Sequence, residues 1–291
     1  MLLVEKMKKT KFSGNESIVI NFVLDKEENI NKYTTIQIAK ETYTSTSTIV
    51  RIAKKLGFNG WTELKEAYIN ELKYIKTNFN NLDANIPFQK DDSINTIASN
   101  ITQLHIESAK DTFFLLNSQM MSEAASLINK SQKVHIFTVS NLSYLAEIFT
   151  FNLSRIKKDI HVDSIQDNMY HNAMMLTKND CAICVSYSGE TRAILDIAKI
   201  LRKRGIPIIV ITSVGENHLE KYGDVVLHIC TREKSISKIA GYTSLHSISL
   251  IFDILYSIIF SLNYKNNLNY KIEIAKAVET NRKIENDIIK E

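Results

Sequence analysis

The sequence predicts an α/β protein in two parts, an all-α N-terminal helix-turn-helix segment followed by a parallel sheet of about five strands flanked by helices. Three observations predict it. From Lys133 to Ile229 continuous apolar runs alternate with helix-like segments, the pattern of strands buried on both faces. Residues 35–56 hold two short amphipathic segments joined by a tight turn. Between these regions lies Thr77–Asp92 (TNFNNLDANIPFQKDD), polar, Asn-rich and holding one of only 2 prolines, which reads as a linker.

A first helix is expected over Asn15–Leu24, where Ile18, Val19 and Phe22 fall at helical spacing. Thr35–Thr42 is a short amphipathic helix with Ile36 and Ala39 on one face. Tyr43-Thr44 makes the turn. Ser45 can cap the next helix, Thr46–Leu56, by taking an amide of its first turn. Ile49, Ile52, Ala53 and Leu56 then face inward, leaving Thr46, Ser47, Arg51, Lys54 and Lys55 outside. Thr62–Lys76 leads out of this segment, with Trp61 in the core, and Ser93–Asn117 forms a long connecting helix.

Strands are expected at Val134–Val139, Ile160–Val162, Cys181–Val185, Ile208–Thr212 and Val225–Ile229. Helices are expected at Tyr144–Lys157, Asn168–Leu176, Thr191–Lys203 and Asn217–Lys221. Leu245–Leu262 is the most apolar stretch, yet Asp253 near its centre argues for a buried helix rather than a membrane span.

Charge is informative by its distribution. The net charge is +4; residues 1–78 hold 13 Lys/Arg against 9 Asp/Glu, and the remainder balances at 23 against 23. All of the excess sits in the helical segment, as expected where phosphates are neutralised. The 3 cysteines, Cys181, Cys184 and Cys230, lie on apolar strand-like runs and read as buried thiols of a reducing compartment. Cys181 and Cys184 are three apart on a strand and point to opposite faces, which disfavours a shared metal or disulfide. The 7 histidines show no metal-ligand spacing, and no cofactor is expected. Met1–Lys11 is broken by charges and carries no signal-peptide pattern, so a cytoplasmic protein is expected.

The most chemical stretch is Ser186-Tyr187-Ser188-Gly189-Glu190-Thr191, at a strand-to-helix turn. Three small hydroxyls, a glycine and a helix N-terminus offer neutral donors, free amides and a positive dipole end, which is what a phosphate needs. Thr212 and Ser213 after the next strand have the same character. Asp180 precedes the strand that ends in this turn, Arg204-Gly205-Ile206-Pro207 closes the helix, and Asp224 precedes the last strand. This order resembles the sugar isomerase (SIS) domain, from about Met120 to Asn263; such domains bind phosphorylated sugars and some isomerise them. The resemblance implies effector contacts from Ser186, Ser188, Gly189, Glu190 and Thr191, and from Ser140, Asn141 and Ser143 after the first strand. There the chain departs from the common pattern, because Thr138-Val139-Ser140-Asn141-Leu142-Ser143 contains no glycine.

At the other end, Lys54-Lys55-Leu56-Gly57-Phe58-Asn59-Gly60-Trp61, with Ser45–Arg51 before it, resembles the RpiR-type helix-turn-helix over residues 12–75. Tyr43 stands where a small residue is common. The chain is thus similar to RpiR/MurR-family transcriptional regulators, which pair these two domains in this order. The resemblance implies a division into a DNA-binding domain (1–77), linker and connecting helix (78–119), SIS domain (120–264) and C-terminal helix (265–291). It implies operator DNA and a phosphorylated sugar or amino sugar as partners, a homodimer or higher homo-oligomer, and no membrane. Ser45, Thr46, Ser47, Thr48, Arg51, Lys54 and Lys55 are the expected DNA-facing residues, with Arg51 able to reach a guanine edge and the lysines suited to phosphates. The alternative is a phosphosugar isomerase with an N-terminal extension. Its acid and base would come from Glu190, Glu233, His171 or His246, but nothing pairs these in the sequence and no catalytic residue is assigned.

Overall fold

The structure, a computed structural model, describes residues 3–78, 82–278 and 288. It divides into two units, one built on Met1–Asp83 and the other on Ala84–Ser213 and Asn217–Glu291.

The first unit holds α1 (Leu3–Lys9), α2 (Gly14–Lys26), a 3-10 turn (Glu27–Lys32), α3 (Thr35–Glu41), α4 (Thr46–Lys55) and α5 (Trp61–Asn78). Local chemistry sets the starts. Thr34 and Gln37 form a capping box at α3, Ser13 and Glu16 form one at α2, and Ser45 Oγ accepts the Thr48 amide at α4. The core gathers Val19, Ile20, Val23, Ile38, Ile49, Ile52, Leu56, Leu64 and Tyr68, with Trp61 buried beside them. Each such side chain contributes roughly 1.5–3 kcal/mol by leaving water, far more than any one cap. The inward face of α3 differs from the expected one. Ile36 is 72% exposed and Ile38 is fully buried, because α4 packs against the Ile38–Ala39 side. The charged start of the chain forms α1, anchored where the buried Glu71 carboxylate accepts the Leu3 and Val4 amides.

The second unit begins with α6 (Ile94–Leu115) and α7 (Ser118–Lys130). There follow β1 (Val134–Phe137), α8 (Leu142–Ser154), β2 (Ile160–Asp163), α9 (Gln166–Met175), β3 (Cys181–Val185) and α10 (Arg192–Arg204). Then come β4 (Ile208–Ser213), a 3-10 turn (Leu219–Tyr222), β5 (Val225–Ile229), α11 (Tyr242–Ser261) and α12 (Tyr264–Val278). The five strands pair in parallel in the order β2-β1-β3-β4-β5. One sheet face packs on α7, α8 and α11, the other on α9 and α10. Cys181 lies in the first core and Cys184 in the second, on opposite faces of β3, and all three cysteines are free and buried.

The two aspartates of the sequence motif have structural work at the strand starts. Asp180 accepts from the Lys133 and Thr177 amides and the Thr177 hydroxyl, and Asp224 accepts the Ile208 amide. Gly205 closes α10 with φ +70°, where an L-residue would be strained. α6 is more than a connector: it packs along α11, with Ser108 bonded to Ser247 and to the Thr243 carbonyl, and Arg232 donating to both Glu107 and Asp111. α11 is long and apolar enough to cross a membrane, but it packs against α6, α7 and α8. Of the expected C-terminal helix (265–291), α12 covers Tyr264–Val278; residues 279–287 and 289–291 lie outside the described residues.

Candidate functional site

The sheet topology places the first site. From β1 the chain steps to β2 on one side, then returns to β3 and continues through β4 and β5 on the other. Loops leaving the C-terminal ends of β1 and β3 therefore diverge and open a crevice, where α/β sheets take ligands. Phe137 pairs with Cys184 in register, and the Thr138 hydroxyl donates to the Val185 carbonyl, so the two loops start side by side.

The β3 loop is Ser186–Thr191. Ser186 is buried, and its hydroxyl meets that of Thr191 at 2.8 Å. Thr191 stands at the N-cap of α10 yet makes no capping bond, so its hydroxyl leaves the first amides of α10 without a side-chain acceptor among the described residues. That is an anion-binding arrangement. Gly189 has φ +66°, and a Cβ there would stand 2.1 Å from Asn217 Oδ1. Its carbonyl accepts the Leu219 amide, which seats the loop on the segment after β4. Ser188 Oγ accepts the Glu190 amide at 3.2 Å.

Opposite, Ser140 carries φ +60°, a left-handed conformation usual for glycine. The missing glycine is thus replaced by a serine held in the glycine-like geometry. Ser143 donates to the Ser140 carbonyl at 2.7 Å, and Asn141, at the N-cap of α8, is exposed and makes no side-chain cap.

Glu190 turns to His218, whose amide and ring nitrogen sit at 2.9 and 2.8 Å, and these donors lower its pKa. Glu233 is also occupied. It accepts from Lys238, Ser244 and the amides of Thr243 and Ser244 at the start of α11; burial pushes its pKa up, but these donors together hold it below the ordinary value. His246 stacks on His105, with ring centroids 4.7 Å apart, and His171 is exposed on α9. Glu233 and Tyr187 belong together in a way the sequence did not reveal. The Tyr187 hydroxyl donates to the Glu233 carbonyl at 2.7 Å and accepts its amide at 3.0 Å, while Lys238 lies over the Tyr187 ring.

The second site is the outer face of α4. Ser45, Thr46 and Ser47 are exposed at its start, and Arg51, Lys54 and Lys55 further along. Thr48 departs from expectation: it is buried, with its hydroxyl 3.0 Å from Ser45 Oγ, because the N-cap bond draws it under the helix start. The cations are not equivalent. Buried Glu16 of α2 takes Arg51 Nε at 2.9 Å and Lys55 Nζ at 3.1 Å, and Lys55 also lies over the Phe12 ring. The Ser13 amide, then against burial Lys55 and Arg51, lowers the Glu16 pKa to about 2. Lys54 enters no ion pair among the described residues. The turn before α4 holds Tyr43 at φ +52°, 96% exposed. Glu16 was legible as the fourth residue of Ser13-Gly14-Asn15-Glu16, a capping-box spacing, though its reach to α4 was not.

Both units have counterparts among known proteins. Residues 1–74 match the helix-turn-helix domain of the rpiR family, and residues 127–258 match the SIS domain. An HTH-type transcriptional regulator of Caldanaerobacter subterraneus subsp. tengcongensis is 24% identical over 98% of this chain and 99% of its own. Among solved structures, the NanR protein of Vibrio vulnificus, complexed with ManNAc-6P, superposes with TM-score 0.59 and 19% identity, covering 96% of this chain and 100% of that one. The sugar isomerase domain of an RpiR transcription factor from Sphaerobacter thermophilus gives TM-score 0.55 and 17% identity, over 62% of this chain and 98% of its own. A helix-turn-helix unit followed by a SIS domain defines a DNA-binding transcription regulator. Within that class, the chain carries the rpiR-family helix-turn-helix domain together with a SIS domain.

Proposed function

We propose that this regulator senses a phosphosugar: α4 reads an operator, and the crevice between the β1 and β3 loops holds the effector's phosphate. The observation that carries the reading is the start of α10. Its first amides have no side-chain acceptor among the described residues and follow directly on the small hydroxyls of Ser186, Ser188 and Thr191, with Ser140, Asn141 and Ser143 on the neighbouring β1 loop. Glu190 contributes its backbone there, because its carboxylate is turned to His218 and would repel an anion. The NanR protein was solved with ManNAc-6P, which makes a phosphorylated amino sugar the first candidate.

The crevice binds without converting. An isomerase needs a free acid and base beside the sugar, and Glu190 and Glu233 are each spent on other partners. The protein works as a homodimer in the cytoplasm, since two half-sites need two recognition helices. Tyr264, Leu268 and Ile272, exposed at four-residue spacing along α12, supply an apolar stripe suited to pairing. The division of labour follows 1–77 for DNA and 120–264 for the effector, with 78–119 and 265–291 around the latter.

A thermal-shift panel of sugar and amino-sugar phosphates, their unphosphorylated forms and inorganic phosphate tests this reading, since a ligand of the folded state raises stability with its saturation. Stabilisation by one phosphosugar, none by its free sugar, and no interconversion of the ligand after incubation is the expected result. Equal stabilisation by the free sugar would remove the phosphate from the crevice.

A further inference from the structure

Arginine reads a guanine edge only when its fork is held at the right angle, and a solvent-exposed arginine has many rotamers to lose. Arg51 is 62% exposed by its side chain, yet it is not left to choose. Glu16 is buried on α2, its carboxylate aimed at α4, and takes Arg51 through Nε. That bond occupies the Nε edge of the planar guanidinium. Nη1 and Nη2, at the far end of the fork, donate to no partner among the described residues. The other carboxylate oxygen takes Lys55. A carboxylate beside DNA repels phosphates, so its burial under the two cations needs a compensating use.

We infer that Glu16 is a positioning residue for sequence readout: it clamps Arg51 by Nε so that the Nη edge is presented, preorganised, to a base in the major groove. This rests on the reading of α4 as the recognition helix. Lys55 is the second arm of the clamp. Its charge is partly neutralised by Glu16 and its ammonium packed on Phe12, so it contributes to the shape of the reading face more than to phosphate attraction. Holding the fork in advance lowers the entropy lost on binding and gives affinity only where the base fits.

The experiment uses the full chain. Wild type selects its preferred sequence from random duplex DNA, and affinities for that duplex and for a scrambled one are then measured for Glu16→Gln, Arg51→Ala and the double variant. Gln at this position keeps a capping-box acceptor for the Ser13 amide, but its one oxygen cannot serve Ser13, Arg51 and Lys55 together. Glu16→Gln is expected to lose about tenfold on the selected duplex, within the range of one bidentate base contact. It should relax preference at the same base pair as Arg51→Ala, and leave the scrambled duplex unchanged or bound slightly more tightly. The double variant should bind as Arg51→Ala alone.

If Glu16→Gln keeps the wild-type preference while Arg51→Ala changes it, the clamp is structural and the inference fails. If Arg51→Ala keeps the preference, or wild type selects none, the recognition-helix reading itself fails. Should Glu16→Gln unfold, as circular dichroism would reveal, Arg51→Lys decides: it keeps the ion pair but lacks the fork, so undiminished preference in that variant overturns the clamp.

Discussion

The two candidate sites of this molecule, as proposed, would meet phosphate with different physics. α4 projects long cations from an exposed helix, where the attraction is strong but screened by salt and needs the side chains fixed to be specific. The Ser186–Thr191 loop uses backbone amides, small hydroxyls and the end of α10, all held by the sheet before any ligand arrives. In the first, the proposed restraint comes from elsewhere in the chain, in the pairing of Glu16 with Arg51 and Lys55. In the second, the restraint is the fold itself: Gly189 is wedged against Asn217 and Ser140 is held in a left-handed turn. Substitutions should therefore act through geometry at the loop and through charge at the helix.

The largest effect is expected from Gly189→Val. A side chain there meets Asn217 Oδ1 at 2.1 Å in a backbone conformation disfavoured for L-residues. Phosphosugar stabilisation in the thermal-shift assay should vanish while affinity for the selected duplex persists; a normal ligand shift would mean the loop's geometry is not what binds. Ser188→Ala is gentler, because it removes one donor and leaves the glycine and the helix start in place. Loss of a hydrogen bond to a charged group costs about 1.5–3 kcal/mol, so at least a tenfold higher effector midpoint is expected in a DNA titration at several effector concentrations. An unaltered midpoint would put the phosphate elsewhere.

The charge side of the comparison is read by salt. Lys54, without an ion pair among the described residues, should contribute a full phosphate contact, so Lys54→Ala should flatten the plot of log affinity against log salt by about 0.9. Lys55→Ala should flatten it less, since Glu16 and Phe12 already hold that ammonium. Equal slopes for the two variants would erase the distinction. Effector affinity should change far less over the same salt range.

A separate effect is on stability. Folding holds the Glu16 pKa at about 2, below its ordinary 4.5, so the ionised form favours the folded state. This contribution is complete above pH 4.5 and is lost as the pH falls towards 2. The melting temperature of wild type should exceed that of Glu16→Gln by a constant margin at neutral pH, and the margin should close over that acid window. A margin that persists at pH 2 would assign the difference to something other than the carboxylate.

Local patterns wrote much of this protein openly. Capping residues, apolar runs with period 3.6 or buried on both faces, and the punctuation at Gly205 and Pro207 located α2 to α5 and five parallel strands, though not α1, because each depends on neighbours close in the chain. The Ser186–Thr191 turn and the outward cations of α4 were legible for the same reason. Tertiary structure alone decided which partners meet across long separations. Ile38 rather than Ile36 turned inward because α4 lies on that side, and Thr48 was drawn under by its own cap. Glu16 reached Arg51 and Lys55 across 35 and 39 residues, Arg232 joined Glu107 and Asp111, and Tyr187 locked onto Glu233. A side chain's spacing reports which face it occupies, but burial of a charge or a hydroxyl is tolerated only beside a partner, and that partner is chosen by packing rather than by any pattern along the chain.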